Sequence, residues 1–172
     1  MNSQLDRNEI VSRAKKIKLV LTDNDGVLTD TGVYYSDAGE IMKRFSIRDG
    51  MGVERLRDCG IETGIMSGEI SGSIKTRADK LTIKYLYLGI KDKPKKLLEI
   101  LAKTDFKLEE IAYIGDDYND LDVINTVNQK GLTAAPQDAM PKIIDAVIYR
   151  CKTNGGQGAF RDFAEWIIAH RY

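Results

Sequence analysis

The chain has one histidine, two cysteines and three prolines in 172 residues, and each scarcity removes a class of chemistry or architecture. Cys59 and Cys151 lack metal-ligand spacing, and neither begins a Cys-x5-Arg phosphatase loop, because Ile65 and Gln157 stand six residues on. They read as small buried apolar residues. His170 is third from the C-terminus. A Ser-His-Asp hydrolase, a histidine phosphatase and a His-ligated zinc enzyme therefore lose their central residue. There is no Pro-rich linker, repeat or low-complexity tract, which argues for one domain over residues 1–172. No apolar run approaches the roughly 18 residues that span a bilayer. Neither sign of charge is in excess: 26 acidic and 26 basic residues provide no global attraction to nucleic acid or to a membrane. Met1–Lys18 is polar and lacks a secretory apolar core, so a cytoplasmic location is expected. Phosphate loops of the Gly-x4-Gly-Lys-[Ser/Thr] and Gly-x-Gly-x-x-Gly types are missing too. Chemistry must run on carboxylates, lysines and hydroxyls.

Such groups are present, and they recur at the ends of apolar runs. Short β-prone segments alternate with helical ones: strands are expected at Lys18–Thr22, Glu62–Met66, Lys84–Tyr87, Ile111–Ile114, Leu132–Ala134 and Ala146–Tyr149. Helices are expected near Gly50–Asp58, Ser71–Leu81, Lys93–Lys103, Tyr118–Val127, Pro141–Ile144 and Ala159–Ala169. That alternation predicts an α/β fold, a three-layer Rossmann-like parallel sheet with helices on both faces. Asp30–Arg48 interrupts it, being longer than an ordinary βα loop. Two β-prone arms around Ser36-Asp-Ala-Gly39 read as a hairpin, too small to be a separate cap domain. It leaves the carboxyl end of the first strand, where open α/β sheets bind ligands.

Four polar signals collect on that rim. Asp23 and Asp25 stand two apart where the first strand ends, so one can act as nucleophile while the other handles protons, and both can share a divalent cation. Ser67-Gly68 follows the second sheet strand, with a hydroxyl and backbone N–H groups suited to phosphate oxygens; Ser67 or Ser71 can equally cap the next helix. Lys93 precedes Pro94 at a helix start, where a cation can neutralise a phosphate or simply be solvated. Gly115-Asp116-Asp117-Tyr-Asn119-Asp120 follows another strand, and a helix start favours anions. An EF-hand beginning at Asp23 fails, because its sixth position is Leu28 and its twelfth Tyr34. A response-regulator receiver fails because its acceptor aspartate follows a later strand.

Those segments, in that order, resemble the haloacid dehalogenase superfamily of phosphatases, and the similarity covers nearly the whole chain. More narrowly, the hairpin, Phe45-Ser-Ile-Arg48-Asp49-Gly50-Met-Gly52 and Gly155-Gly-Gln-Gly158-Ala-Phe-Arg161 resemble the capless family acting on 2-keto-3-deoxy sugar acid phosphates. Its members hydrolyse 3-deoxy-manno-octulosonate 8-phosphate or nonulosonate (KDN, sialic acid) 9-phosphates, in lipopolysaccharide or sialic acid biosynthesis. The resemblance implies that Asp23 forms an aspartyl-phosphate and that Asp25 is the general acid and base. It implies Mg2+ held by Asp23, the Asp25 carbonyl and Asp116, with Asp117, Asn119 and Asp120 surrounding the metal site. Ser67, Gly68 and Lys93 would bind the phosphoryl group. A non-catalytic oligomerisation or regulatory module, like the related domain fused to sugar-acid cytidylyltransferases, is the alternative.

The resemblance also carries expectations about substrate and assembly. Arg48, Glu69, Arg77 and Lys80 are candidate substrate-binding residues; Arg77 and Lys80, three apart, share a helical face. Octulosonate phosphatases typically have arginine after the Ser-Gly pair, so Glu69 favours a nine-carbon substrate. Asn24 departs from the usual apolar residue between the two acids, and a polar group there needs a partner, expected in the neighbouring loop. Without a cap, the site would be covered by assembly. The family implies a homotetramer, with hairpin residues Val33, Tyr34, Tyr35, Ile41 and Met42 over a neighbour's site. The Gly155–Gly158 loop is expected to wall the site. Gating by a C-terminal tail is not expected, since the sequence stops at Tyr172, right after its last helix.

Overall fold

The computed structural model describes residues 5–172, so the first four residues of the polar Met1–Lys18 stretch lie outside it. After helix α1 (Arg7–Ala14) comes strand β1 (Leu19–Thr22), then the hairpin β2 (Thr29–Ser36) and β3 (Gly39–Phe45). Next are α2 (Ile47–Asp58), β4 (Glu62–Met66), α3 (Gly72–Lys80), β5 (Tyr85–Tyr87), α4 (Lys93–Lys103) and β6 (Ile111–Ile114). The chain finishes with α5 (Leu121–Asn128), β7 (Leu132–Ala135), α6 (Pro141–Ala146), β8 (Tyr149–Arg150) and α7 (Ala159–Arg171). Six strands form one sheet in the order β5-β4-β1-β6-β7-β8, every adjacent pair parallel. The α/β expectation, with a hairpin after β1, holds. No helix among the described residues is long and apolar enough to cross a membrane.

Alternation along each strand supplies the two cores, because successive side chains point to opposite faces. Val20, Ile65, Ala112, Ile114, Leu132 and Ala134 face one way, against Val53 and Leu56 of α2, Ile74 of α3 and Phe160, Phe163 and Ile167 of α7. Leu19, Leu21, Met66, Ile111 and Tyr113 face the other way, against Leu97 and Ile100 of α4, Val123, Ile124 and Val127 of α5 and Ile143 of α6. Burial on both faces explains why the strands read as nearly continuous apolar runs. After β5 the chain returns to the other side of β1 to lay down β6, so strand order reverses between β1 and β6. A crevice opens at such a switch point, outside the carboxyl ends of the strands.

Some departures from expectation have identifiable reasons. Helix α1 went unanticipated because Ala14 is its one buried residue; Asp6 caps it by accepting from the Glu9 N–H at 2.8 Å. Helix α2 begins three residues early, at Ile47, because the Ser46 hydroxyl takes the Arg48 N–H at 3.1 Å. The apolar run Ala146–Tyr149 ends a helix and only then starts β8, a distinction that periodicity alone cannot make in a short run. The Gly155–Gly158 loop is also placed differently, since it braces the loop after β1 from behind and does not line the crevice with Asp23. Gly156 donates its N–H to the Val27 carbonyl at 2.8 Å, and a Cβ on Gly155 would lie 1.9 Å from the Gly26 carbonyl oxygen.

That approach predicts a contrast between two glycines. Gly155→Ala forces backbone apart and should cost about 1–3 kcal/mol, lowering the thermal midpoint by about 2–10 °C. Gly72→Ala, at a helical position where an added Cβ meets nothing within 4 Å, should leave the midpoint within about 2 °C or raise it. Thermal unfolding of both variants checks this.

Candidate active site

Three of the site segments start on the first residue past a strand, and that residue is still held by the sheet. Asp23 donates its N–H to the Ile114 carbonyl at 3.0 Å, Ser67 to Tyr87 at 2.9 Å and Gly115 to Ala134 at 3.3 Å. The ladder thus runs one residue beyond β1, β4 and β6 before each chain turns away. These residues project from the sheet rim with strand-like precision. Beyond Asp23 the loop closes on the Asn24 carbonyl, which accepts from Leu28 at 2.9 Å and Thr29 at 3.1 Å. Gly26 takes φ +89°, and a Cβ there would overlap the Asp116 carboxylate at 1.9 Å. Glycine lets the two loops close around one point.

At that point lies a buried cluster of charges. Lys93 Nζ sits 2.9 Å from Asp23 Oδ2 and 2.5 Å from Asp120 Oδ1, with both the lysine and Asp120 side chains at most 1% exposed. Carboxylate oxygens of Asp23, Asp116 and Asp120 lie within 4.8 Å of one another. Burial opposes the charge on Lys93, but the Asp23 and Asp120 carboxylates outweigh it and hold its pKa above the ordinary lysine value. Burial, reinforced by the Asp120 charge, raises Asp23 to about 7 despite Lys93. Burial with the Asp23 and Asp120 charges raises Asp116 to about 8. Three acids face one lysine, and the surplus negative charge is what a cation would relieve.

The acids are not equivalent as ligands. Asp120 is saturated: it accepts from Lys93, from the Tyr113 hydroxyl at 2.5 Å and from the Asp116 and Asp117 N–H groups at 3.0 and 3.4 Å. Asp116 Oδ1, by contrast, is buried with no partner among the described residues. A buried carboxylate oxygen without a donor is costly, and an all-oxygen donor set suits a hard divalent cation such as Mg2+. Asp23 and Asp116 therefore fit such an ion, while Asp120 holds Lys93 and the Asp116 loop in place.

An open pocket of about 450 Å³ is lined by Asp23, Asp25, Thr31, Ser67, Gly68, Glu69, Asp116, Asp117 and Asn119. Ser67 is buried at its floor and its Oγ accepts the Glu69 N–H at 3.1 Å; Ser71, not Ser67, caps α3. Lys93 is beneath, joined to the pocket through Asp23. Of the four candidate substrate residues, Glu69 alone lines this pocket. Arg77 and Lys80 line an adjoining groove between α3 and the hairpin, because Arg77 is drawn to the hairpin base. It donates to the Ser46 carbonyl at 3.0 Å and lies 5.8 Å above the Phe45 ring. Arg48 is exposed in the first turn of α2 beside Gly158, away from the pocket. Among the described residues the Asn24 side chain reaches no neighbouring loop: its Nδ2 donates to Asp25 Oδ1 at 3.1 Å and its Oδ1 has no partner.

Two contributors escaped the sequence reading, both on the hairpin. Lys43 turns inward and places Nζ 2.7 Å from Asp25 Oδ1. Burial opposes its charge, yet the hydrogen bond and charge of Asp25, with Glu40 and Glu69 behind, raise its pKa. Its signal was strand alternation, which puts Lys43 on the same face of β3 as Ile41 and Phe45. Thr31 lines the pocket at φ +66°, an unusual conformation for a β-branched residue, at a break in the β2–β3 register. Nothing in its sequence context marks it.

Comparison with known proteins places this site among phosphatases. No model of a protein family matches the chain. The 3-deoxy-D-manno-octulosonate 8-phosphate phosphatase KdsC of Yersinia pestis is 35% identical over 161 residues, covering 94% of this chain and 84% of that protein. Among solved structures, the Moraxella catarrhalis 3-deoxy-D-manno-octulosonate 8-phosphate phosphatase with magnesium, phosphate and KDO superimposes with a TM-score of 0.88. It is 33% identical and the match covers 95% of this chain and 92% of that one. The cobalt-bound Haemophilus influenzae phosphatase superimposes with a TM-score of 0.87 at 35% identity, covering 92% and 91%.

The raised acids carry a pH prediction. A carboxyl whose folded pKa lies above its unfolded value of 3.8 is protonated when folded and ionised when unfolded between the two values. Stability from Asp23 and Asp116 is thus present below about pH 4, falls as pH rises, and is gone above about 8. Cation binding needs the ionised forms, so stabilisation by Mg2+ should grow over that window. At a concentration about 100 times its dissociation constant at pH 8.5, Mg2+ should raise the thermal midpoint there by about 5–10 °C, and the same concentration should raise it by much less at pH 5.5. Asp116→Asn should abolish the shift.

Proposed function

Since the chain belongs to the 3-deoxy-D-manno-octulosonate 8-phosphate phosphatase family of the haloacid dehalogenase superfamily, we propose that it is a Mg2+-dependent phosphatase of that sugar acid phosphate, with residues 1–172 acting as one catalytic domain. The carrying observation is the convergence of Asp23 and Asp116 on one pocket from the ends of separate strands, with Lys93 at the start of a helix bound to Asp23 beneath it. A non-catalytic module has no use for such a cluster, whose burial is costly unless it binds something.

In this reading the Asp23 carboxylate attacks phosphorus and the ester P–O bond breaks. Asp25 gives its proton to the departing sugar alkoxide. Asp25 then takes a proton from water, which attacks the phosphorus of the aspartyl-phosphate, releases inorganic phosphate and restores Asp23. Ser67, Gly68 and Lys93 hold the phosphoryl oxygens, while Asp117 and Asn119 line the metal side and Asp120 fixes Lys93. Mg2+, held by Asp23, the Asp25 carbonyl and Asp116, would neutralise charge on the phosphoryl group. The task warrants this much apparatus, because uncatalysed monoester hydrolysis demands accelerations of up to ~10^21-fold.

Two finer proposals follow. A nine-carbon nonulosonate 9-phosphate is the second substrate reading, supported by Glu69 at the pocket mouth. Assembly, a homotetramer by family resemblance, would cover the pocket with a neighbour's hairpin. That hairpin exposes Tyr34 at 61%, Tyr35 at 68%, Ile41 at 53% and Met42 at 54%, more apolar surface than a free arm ordinarily carries.

Phosphate release tests the function. The chain should hydrolyse octulosonate 8-phosphate with Mg2+ and not with chelator, and Asp23→Asn should lose several orders of magnitude in kcat. Inactivity of the wild type on both sugar acid phosphates would end the proposal. Glu69→Arg should shift the kcat/KM ratio toward the eight-carbon ester by about tenfold, or about 1.4 kcal/mol; an unchanged ratio removes Glu69 from substrate choice. Sedimentation should find a tetramer, and Tyr35→Asp with Met42→Asp should shift it to smaller species.

A further inference from the structure

Lys43 lies 18 residues from Asp25 in sequence and has no part in the chemistry described above. Its side chain is 2% exposed, and it faces the groove beside the pocket, not the pocket that holds Asp23. It is braced from behind by Glu40, 3.7 Å away, and Glu40 in turn accepts from the hydroxyl of Ser71, the residue that caps α3. A buried lysine between two carboxylates, tied to a helix cap, is a fixed charge.

What it fixes is the Asp25 carboxylate. Asp25 Oδ1 accepts from three donors: Lys43 Nζ at 2.7 Å, Asn24 Nδ2 at 3.1 Å and Thr29 Oγ1 at 3.3 Å. Asp25 Oδ2 is buried with no partner among the described residues. The terminal torsion of an aspartate is soft and nearly two-fold, so an untethered carboxylate would exchange its oxygens and swing. The lysine bond, charge-assisted and the shortest of the three, is the strongest restraint. With Oδ1 engaged by three donors, Oδ2 is the carboxylate oxygen left without a partner among the described residues.

We propose that Lys43 is a positioning residue for the acid–base chemistry of Asp25, holding one carboxylate oxygen from the hairpin so that the carboxylate keeps a single orientation. Asn24 and Thr29 complete the clamp, which explains a polar residue between the two acids of the motif. The hairpin is then part of the catalytic apparatus within its own chain, apart from any role in assembly. This inference rests on the phosphatase reading above.

Leaving-group dependence tests it, because a nitrophenolate departs without protonation and a sugar alkoxide does not. The quantity to compare is kcat/KM, which reports transfer of the phosphoryl group to Asp23. Lys43→Met should lower kcat/KM on octulosonate 8-phosphate by about 100-fold, in the range of general acid catalysis, and on p-nitrophenyl phosphate by less than about fivefold. Inhibition by inorganic phosphate should be unchanged, and Lys43→Arg should recover the sugar ester to within about tenfold of wild type. Thr29→Val, which removes a neutral donor from the same oxygen, should show the same bias more weakly and carries the test if Lys43→Met does not fold. Equal losses on both esters would mark Lys43 as a phosphate ligand or a scaffold residue and overturn the inference, as would no loss on either. A wild type inactive on both esters overturns the phosphatase reading itself, a result distinct from failure of Lys43 alone.

Discussion

The buried contact of Lys93 with Asp23 and Asp120 is the constraint on which the site depends. A lysine in the first turn of a helix opposes the helix dipole, and its burial is costly unless the charge is matched. Two carboxylates match it, and the Tyr113 hydroxyl and two backbone N–H groups satisfy the rest of Asp120. Removing one partner from such a cluster typically costs 3–5 kcal/mol, so the arrangement is rigid. Rigidity in turn presses the remaining acids together: Asp23 and Asp116 are held close with more negative charge than Lys93 can balance. The stability sacrificed there is what a bound cation would restore.

The sheet supplies the precision. By carrying one more ladder bond past each of three strands, it sets Asp23, Ser67 and Gly115 in register with one another before the loops diverge. Glycines then permit approaches that no other residue allows, Gly26 against the Asp116 carboxylate and Gly155 against the Gly26 carbonyl. The loop after β1 is thereby gripped from both sides. Opposite it, the hairpin brings Lys43 to Asp25 and exposes its aromatic and aliphatic surface outward. One small element serves the chemistry on its inner side and is free to meet a neighbour on its outer side.

Much of this was legible beforehand because it is written locally. Short β-prone apolar runs marked the strands, Pro94 marked the start of α4, and the order of Asp23, Ser67, Lys93 and Asp116 pointed to phosphate chemistry. The substrate residues were less legible. Arg77 and Lys80 share a face as helical spacing requires, but spacing does not say that Arg77 is engaged by Ser46 and Phe45. Glycines at 155–158 looked like a site wall, yet their lack of side chains serves close packing behind the loop. Asn24 needed partners, and its Nδ2 found one in the adjacent residue while its Oδ1 has none among the described residues.

The sequence by itself determined the strand and helix periods, the placement of acids, hydroxyl and lysine at strand ends, and the family of chemistry, because each is encoded within a few adjacent residues. Tertiary structure alone decided which acid is saturated and which is free, that Lys43 meets Asp25, and which charged residues face the pocket. Those outcomes depend on distances between segments tens of residues apart, which only the packed sheet and the turn of the hairpin define.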